Sequence, residues 1–144
     1  MTTTLAPSAD LFERHREKLD KAREAIRTRA FYSAFPESPS VRIYGEAAPV
    51  EGKAAFDARL GKAFALDQPS TGETVASERS PYGVALDVRY PVADVDALVA
   101  AAAKAVESWG AATVEQRVGV ALEALARVNA HSFELGHAVM HTTG

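Results

Sequence analysis

Apolar residues along the chain fall into two rhythms, a helical one towards each end and a strand-like one between them. After Ser8, a capping residue type, Phe12, Leu19 and Ile26 recur at intervals of seven with Ala22 and Ala25 filling between. That spacing predicts an amphipathic helix of about twenty residues, ending near Phe31. The stretch FYSAFPESPS then breaks the pattern with prolines and serines, as a turn-rich connector does. Its aromatics, Phe31, Tyr32 and Phe35, are expected to cluster locally as a plug against the surface on which the helix lies.

A short amphipathic helix is expected from Gly52 to Leu60, with Ala55, Phe56 and Leu60 on one side. From Phe64 to Tyr90 the texture changes to short β-branched and aromatic runs separated by Pro-Ser-Thr-Gly and Pro-Tyr-Gly. These are hairpin signals, and they predict strands near Ala63 to Leu66, Glu73 to Glu78 and Val84 to Tyr90. Gly72 would supply the backbone freedom of the first turn.

Helical spacing returns at Ala93. Asp94 and Asp96 complement the positive end of a helix dipole, Val95, Leu98, Ala102 and Trp109 follow in register, and Gly110 closes the helix. The next helix opens on Thr113-Val114-Glu115-Gln116, a capping box, and carries Val118, Leu122, Leu125 and Val128 as its expected buried stripe. A break at Asn129 or Ser132 separates it from a last helix through Phe133, Leu135 and Val139, with Gly144 as its stop. The expected fold class is α+β, mainly helical with a small β-hairpin or meander. It divides into residues 1–62 as a helical extension, 63–91 as the meander, and 92–144 as helices seeking a further surface.

Composition sharpens that last point. Of the 68 residues classed as hydrophobic, 29 are alanine, which suits helices but brings little area to a core. The helices are therefore expected to need a partner surface or to form a loose fold. The net charge of −3 offers no field to hold nucleic acid, and between Arg14 and Arg29 basic residues interleave with Glu13, Glu17, Asp20 and Glu24, the pattern of a solvated helix face. The start lacks the basic and apolar regions of a secretory signal, and no run reaches the roughly 20 apolar residues of a membrane span, so a cytoplasmic location is expected.

The chain contains no cysteine, which excludes a disulfide framework, a thiolate metal site and a cysteine nucleophile within it. The nearest thing to a constellation is HSFELGHAVMH, in which His131, Glu134, His137 and His141 fall on one side of a helix. Such a stripe has metal-ligand chemistry but not the H-E-x-x-H order of metalloproteases, and it reads as a water-facing surface. Asp94 and Asp96 are accounted for by the helix start rather than by acid–base work. Neither a nucleophile elbow nor a phosphate-cradling glycine loop is present, so the residues name no catalytic, cofactor-binding or metal site.

From Ala65 onward the chain resembles the amino-terminal region of the aldehyde dehydrogenase superfamily. Asp67-Gln68-Pro69-Ser70-Thr71-Gly72-Glu73 matches that family's N-P-x-T-G-E turn, and Asp94-Val95-Asp96 through Trp109 matches its D-V-D helix ending in tryptophan. Arg117, Leu122 and Leu125 match the helix that follows, and Thr142-Thr143-Gly144 stands where the family has E-T-G. The extension from Leu11 to Ser40, followed by Arg42-Ile43-Tyr44-Gly45, is similar to the leader of the PaaN-type members, which belong to phenylacetic acid degradation. Asp67 in place of Asn and Thr142 in place of Glu depart from the family pattern, at positions that are not catalytic.

The resemblance implies NAD(P)-dependent oxidation of an aldehyde to an acid, through a cysteine thiolate and a glutamate-activated water, in a parent that is a homo-oligomer. None of those catalytic or cofactor positions maps onto this chain. The expectation is therefore an amino-terminal fragment of a PaaN-like enzyme, inactive alone, free to self-associate through exposed apolar surface. The alternative from another class is a small helical interaction module without catalytic activity. A metal-binding helix is the third reading.

Overall fold

The computed structural model describes residues 8–36, 38–76 and 78–143, with side chains from Leu11 onward. The Gly144 stop and the capping side chain of Ser8 lie outside the described residues. Helix α1 spans Ser8–Thr28, α2 Val41–Tyr44 and α3 Ala48–Asp57; strands β1 (Ser70–Val75) and β2 (Tyr90–Ala93) follow, then α4 (Val95–Ala111), α5 (Val114–Ala130) and α6 (Ser132–Thr143).

Two helix pairs carry the packing, α1 on α5 and α3 on α6. Each pair crosses at a glycine. A Cβ on Gly119 would stand 2.6 Å from the Phe12 nitrogen, and one on Gly52 would collide with the Phe133 Cβ and stand 2.9 Å from the Glu134 nitrogen. Hydrogen at both positions lets the backbones approach more closely than any side chain allows. This corrects the expected short helix: it begins at Ala48, where Pro49 suits the first turn, and Gly52 is the crossing point inside it rather than its start.

The α1–α5 contacts advance in the same direction along both helices, Phe12 on Gly119 and then His15 on Glu123, so the two run roughly parallel. His15 is 4% exposed, and its Nε2 lies 2.9 Å from Glu123 Oε2. Arg14 (3.3 Å) and Arg127 (3.0 Å) bind the same carboxylate. At this pitch the Ile26 level lies past Ala130, where α5 has ended, and Ile26 is 80% exposed instead of completing the expected stripe. Phe31 is 94% exposed, which corrects the aromatic plug; only Tyr32 and Phe35 are half-buried, the latter under the Lys18 ammonium. The rest of the α1 charge pattern behaves as a solvated face, with ion pairs from Glu13 to Arg16, Glu17 to Lys21 and Glu24 to Arg27.

β1 and β2 form a two-stranded antiparallel sheet joined by a long loop rather than a tight hairpin. Ser70 pairs with Ala93 but Thr74 with Pro91, so residues are left over in β1, and Gly72 takes φ 88 there. Its freedom serves a bulge inside the strand, not a turn before it. The predicted strands at 63–66 and 84–90 reduce to one parallel bridge between Ala63 and Arg89. Asp87, at φ 48, turns the chain out of extended geometry and ends the run. Leu86, beside it, is one of two buried large apolar side chains among the described residues; the other is Phe56.

Asp94 caps α4 by accepting from the Ala97 N–H at 3.0 Å. The capping box at α5 forms in full, with Thr113 Oγ1 accepting from Gln116 N–H and Gln116 Oε1 from Thr113 N–H. α5 ends on His131, and Asn129, read as a breaker, lies inside it. The buried face of α5 is set by Gly119 and Glu123, while Leu125 and Val128 of the expected stripe are exposed. On α6, Leu135 and Val139 are exposed too. The 144 residues leave 10918 Å² accessible, against about 7,100 Å² for a compact monomer of 15.3 kDa. Among the described residues α4 packs extensively on no other helix, and Val95, Val99, Val106 and Trp109 stand exposed at helical spacing on one face. No helix among the described residues is long and apolar enough to cross a membrane.

Candidate functional site

The α3–α6 contact gathers three of the four histidines, His131, His137 and His141, with Glu134 and Arg59. α6 places Glu134, His137 and His141 towards α3, because offsets of three and four return to one side of a helix. This overturns the water-facing reading of the histidine stripe. Glu134 is 7% exposed, bonded to the Arg59 guanidinium and, at 2.8 Å, to His131 Nδ1. Arg59 and then His131 hold its carboxyl below the usual range, against the opposing effect of burial. The His141 ring lies flat on Phe56 at 5.1 Å and the His137 ring on the same phenyl at 6.0 Å. Of the three imidazoles, only His131 projects into solvent as the stripe pattern implied.

The stripe fails as a metal site for the same reason that it packs. His131 turns to Glu134 while His137 and His141 turn to Phe56, and among the described residues no three His, Cys, Asp or Glu side chains converge.

His141 Nδ1 lies 2.8 Å from Ser80 Oγ, a serine–histidine contact of the kind nucleophilic catalysis uses. Its surroundings give it a structural role. Ser80 Oγ also accepts from the Tyr82 N–H at 3.1 Å, closing the Pro81–Gly83 turn, and Tyr82 sets its ring edge-on to His141. Among the described residues no carboxylate orients the His141 ring, so the relay that would activate the hydroxyl is missing. The contact staples the 80–83 turn to α6. No sequence signal links these residues, which are 61 positions apart.

On its other flank α6 forms one wall of an open cleft of about 350 Å³, facing Pro36, Pro39 and Tyr44. The Tyr44 hydroxyl sits between the Pro36 carbonyl (2.8 Å) and Asn129 Oδ1 (2.9 Å), donating its one proton to either, and its ring meets Phe133 edge-on at 5.4 Å. Phe133, Gly136, His137 and Met140 line the helical side.

A dinucleotide does not fit the residues described. The sheet is a two-stranded antiparallel one, without the parallel strand–turn–helix that presents a helix N-terminus to a diphosphate. The starts of α4 and α5 are closed by their own Asp94 and Thr113 side chains, and Asp96 and Glu115 put negative charge in those first turns.

No protein-family model matches the chain, and no curated protein matches it. A solved structure does. The crystal structure of an NAD-dependent aldehyde dehydrogenase from Burkholderia multivorans superposes with a TM-score of 0.83 at 54% sequence identity, over 93% of this chain and 24% of that one. The chain thus spans about a quarter of the length of the protein it matches. Its fold is similar to that of a portion of an aldehyde dehydrogenase.

Proposed function

We propose that this chain is the amino-terminal portion of a PaaN-like, NAD(P)-dependent aldehyde dehydrogenase that serves phenylacetate degradation, and that it does not oxidise aldehydes by itself. The observation that carries this reading is the 54% identity maintained over 93% of the chain, alongside only 24% of a known aldehyde dehydrogenase. The open surface supports it, since α4 leaves the apolar face of Val95, Val99, Val106 and Trp109 exposed, and such a face is normally enclosed. The lack of any cysteine supports the second half, because the resemblance assigns the carbonyl attack to a thiolate that would come from elsewhere. The PaaN assignment rests on the extension, whose α1 lies on α5. In this reading the complete enzyme is a homo-oligomer and the isolated chain self-associates through α4.

The test mixes the chain with the remaining three quarters of the Burkholderia multivorans enzyme and follows Trp109, the only tryptophan here and an exposed one. Docking moves its emission to shorter wavelength, and reduction of NAD with an aldehyde appears only in the mixture. Unchanged emission and no reduction by the mixture would sink the reading. Reduction by the chain alone would sink its second half.

A further inference from the structure

We infer that the cleft between α6 and the side chains of Pro36, Pro39 and Tyr44 is a binding site for a small aromatic molecule carrying one hydrogen-bonding group. The inference is independent of the dehydrogenase reading. Three observations carry it: the shape of the walls, an unexplained glycine, and an unpartnered imidazole.

The walls come from separate parts of the chain and are fixed by contacts of their own. Tyr44 is pinned through its hydroxyl, and its edge-on contact with Phe133 holds both rings in place. With Pro39 and the Met140 thioether these rings form flat and polarizable surfaces suited to an aromatic face. The volume of about 350 Å³ is at the small end of the range for ligand sites, room for a single ring and its substituent rather than for a peptide segment.

Gly136 lies in the interior of α6, where glycine is the least favourable residue apart from proline. At Gly52 and Gly119 the backbone of another helix explains the missing side chain, but a Cβ on Gly136 would meet nothing within 4 Å. The space that Gly136 leaves is the cleft itself. No protein atom requires it to stay open, whereas a ligand would.

His137 stands at the boundary. One ring face lies on Phe56, the residue also lines the cleft, and neither ring nitrogen has a hydrogen-bond partner among the described residues. A half-buried neutral imidazole carries one donor and one acceptor nitrogen on different edges of the ring, so a molecule seated in the cleft would meet one of them. A phenol hydroxyl can answer whichever nitrogen it meets, donating to the bare nitrogen or accepting from the N–H.

The experiment titrates the isotope-labelled chain with phenol and reads amide shifts by NMR, with toluene as the ring that lacks the hydroxyl. Saturable shifts at Gly136, His137 and Met140 are expected, with a dissociation constant below about 1 mM and toluene at least about tenfold weaker. Gly136→Leu fills the cleft, and Gly136→Ala fills it in part; both raise helix propensity, so the fold is retained while phenol binding falls in that order. Non-saturating shifts, or saturable binding that both variants leave unchanged, would overturn the inference. So would an α6 amide pattern that phenol leaves unmoved but a segment of the longer dehydrogenase displaces, because the cleft would then be a polypeptide contact.

Discussion

Gly119 of α5 rests against the backbone of Phe12 in α1, so close that the three atoms nearest to an added methyl would all be main chain of Leu11 and Phe12, at 2.6, 3.0 and 3.1 Å. Main chain cannot rotate away as a side chain can, so Gly119→Ala forces the two helices apart. The propensity gain of about 1 kcal/mol is outweighed by the overpacking, and a net loss of about 1–3 kcal/mol is expected in urea unfolding. Gly136→Ala, with open space around it, should gain up to about 1 kcal/mol in the same assay. Equal effects of the two substitutions would refute the close crossing.

Glu123 makes α1 docking acid-sensitive. His15, then Arg127 and Arg14, hold its carboxyl down at about 2, from an ordinary value of 4.5. A carboxylate with a depressed folded value contributes its stability in full above 4.5 and loses it as pH falls towards 2. Glu123→Gln should therefore lower the melting temperature at about pH 6, with the gap to the parent protein closing between pH 4.5 and about 2. A gap independent of pH would show that the carboxylate charge is not what binds α1.

Arg29 ends α1 in the left-handed region, at φ 58, with Ala30 N–H bonded to Ala25 O at 3.0 Å in the six-to-one pattern of a Schellman turn. Glycine is the residue that this position favours. Arg29→Gly should raise stability by up to about 1 kcal/mol, the relief of the left-handed strain being partly offset by the greater freedom of glycine in the unfolded chain. A calorimetric melt of the variant measures it.

Phe56 is the hub of the α3–α6 pair, buried beneath the two imidazoles of His137 and His141. Phe56→Ala should cost about 3–5 kcal/mol. The same variant should free the His137 and His141 ring protons from the shielding of the phenyl face, visible as downfield shifts in the proton spectrum. Retention of the native shifts would contradict the stacking.

Local physics was legible in the sequence. Helix starts depend on residues within one turn of each other, so Asp94 and the Thr113–Gln116 box can be read directly, and the spacing of apolar residues locates α1, α4, α5 and α6 to within a few positions. The strand predictions fare worse, because Asp87 and the bulge at Gly72 act through backbone dihedrals that residue type only biases. The histidine stripe misleads for a different reason. Helical spacing shows which residues share a face, but only the partner decides whether that face meets water, and here Phe56, Arg59 and Ser80 arrive from 61 or more positions away.

What the sequence by itself determined was the set of helices, their caps, the absence of thiol chemistry and the resemblance to an aldehyde dehydrogenase region. Only the tertiary structure decided which glycines are crossing points, that His15 is buried against Glu123 and Glu134 against Arg59, and that α6 divides its face between Phe56 and an open cleft. The division follows from range. Capping and periodicity are settled within a turn or two of helix, whereas close backbone approach and burial are settled between segments that the chain brings together only on folding.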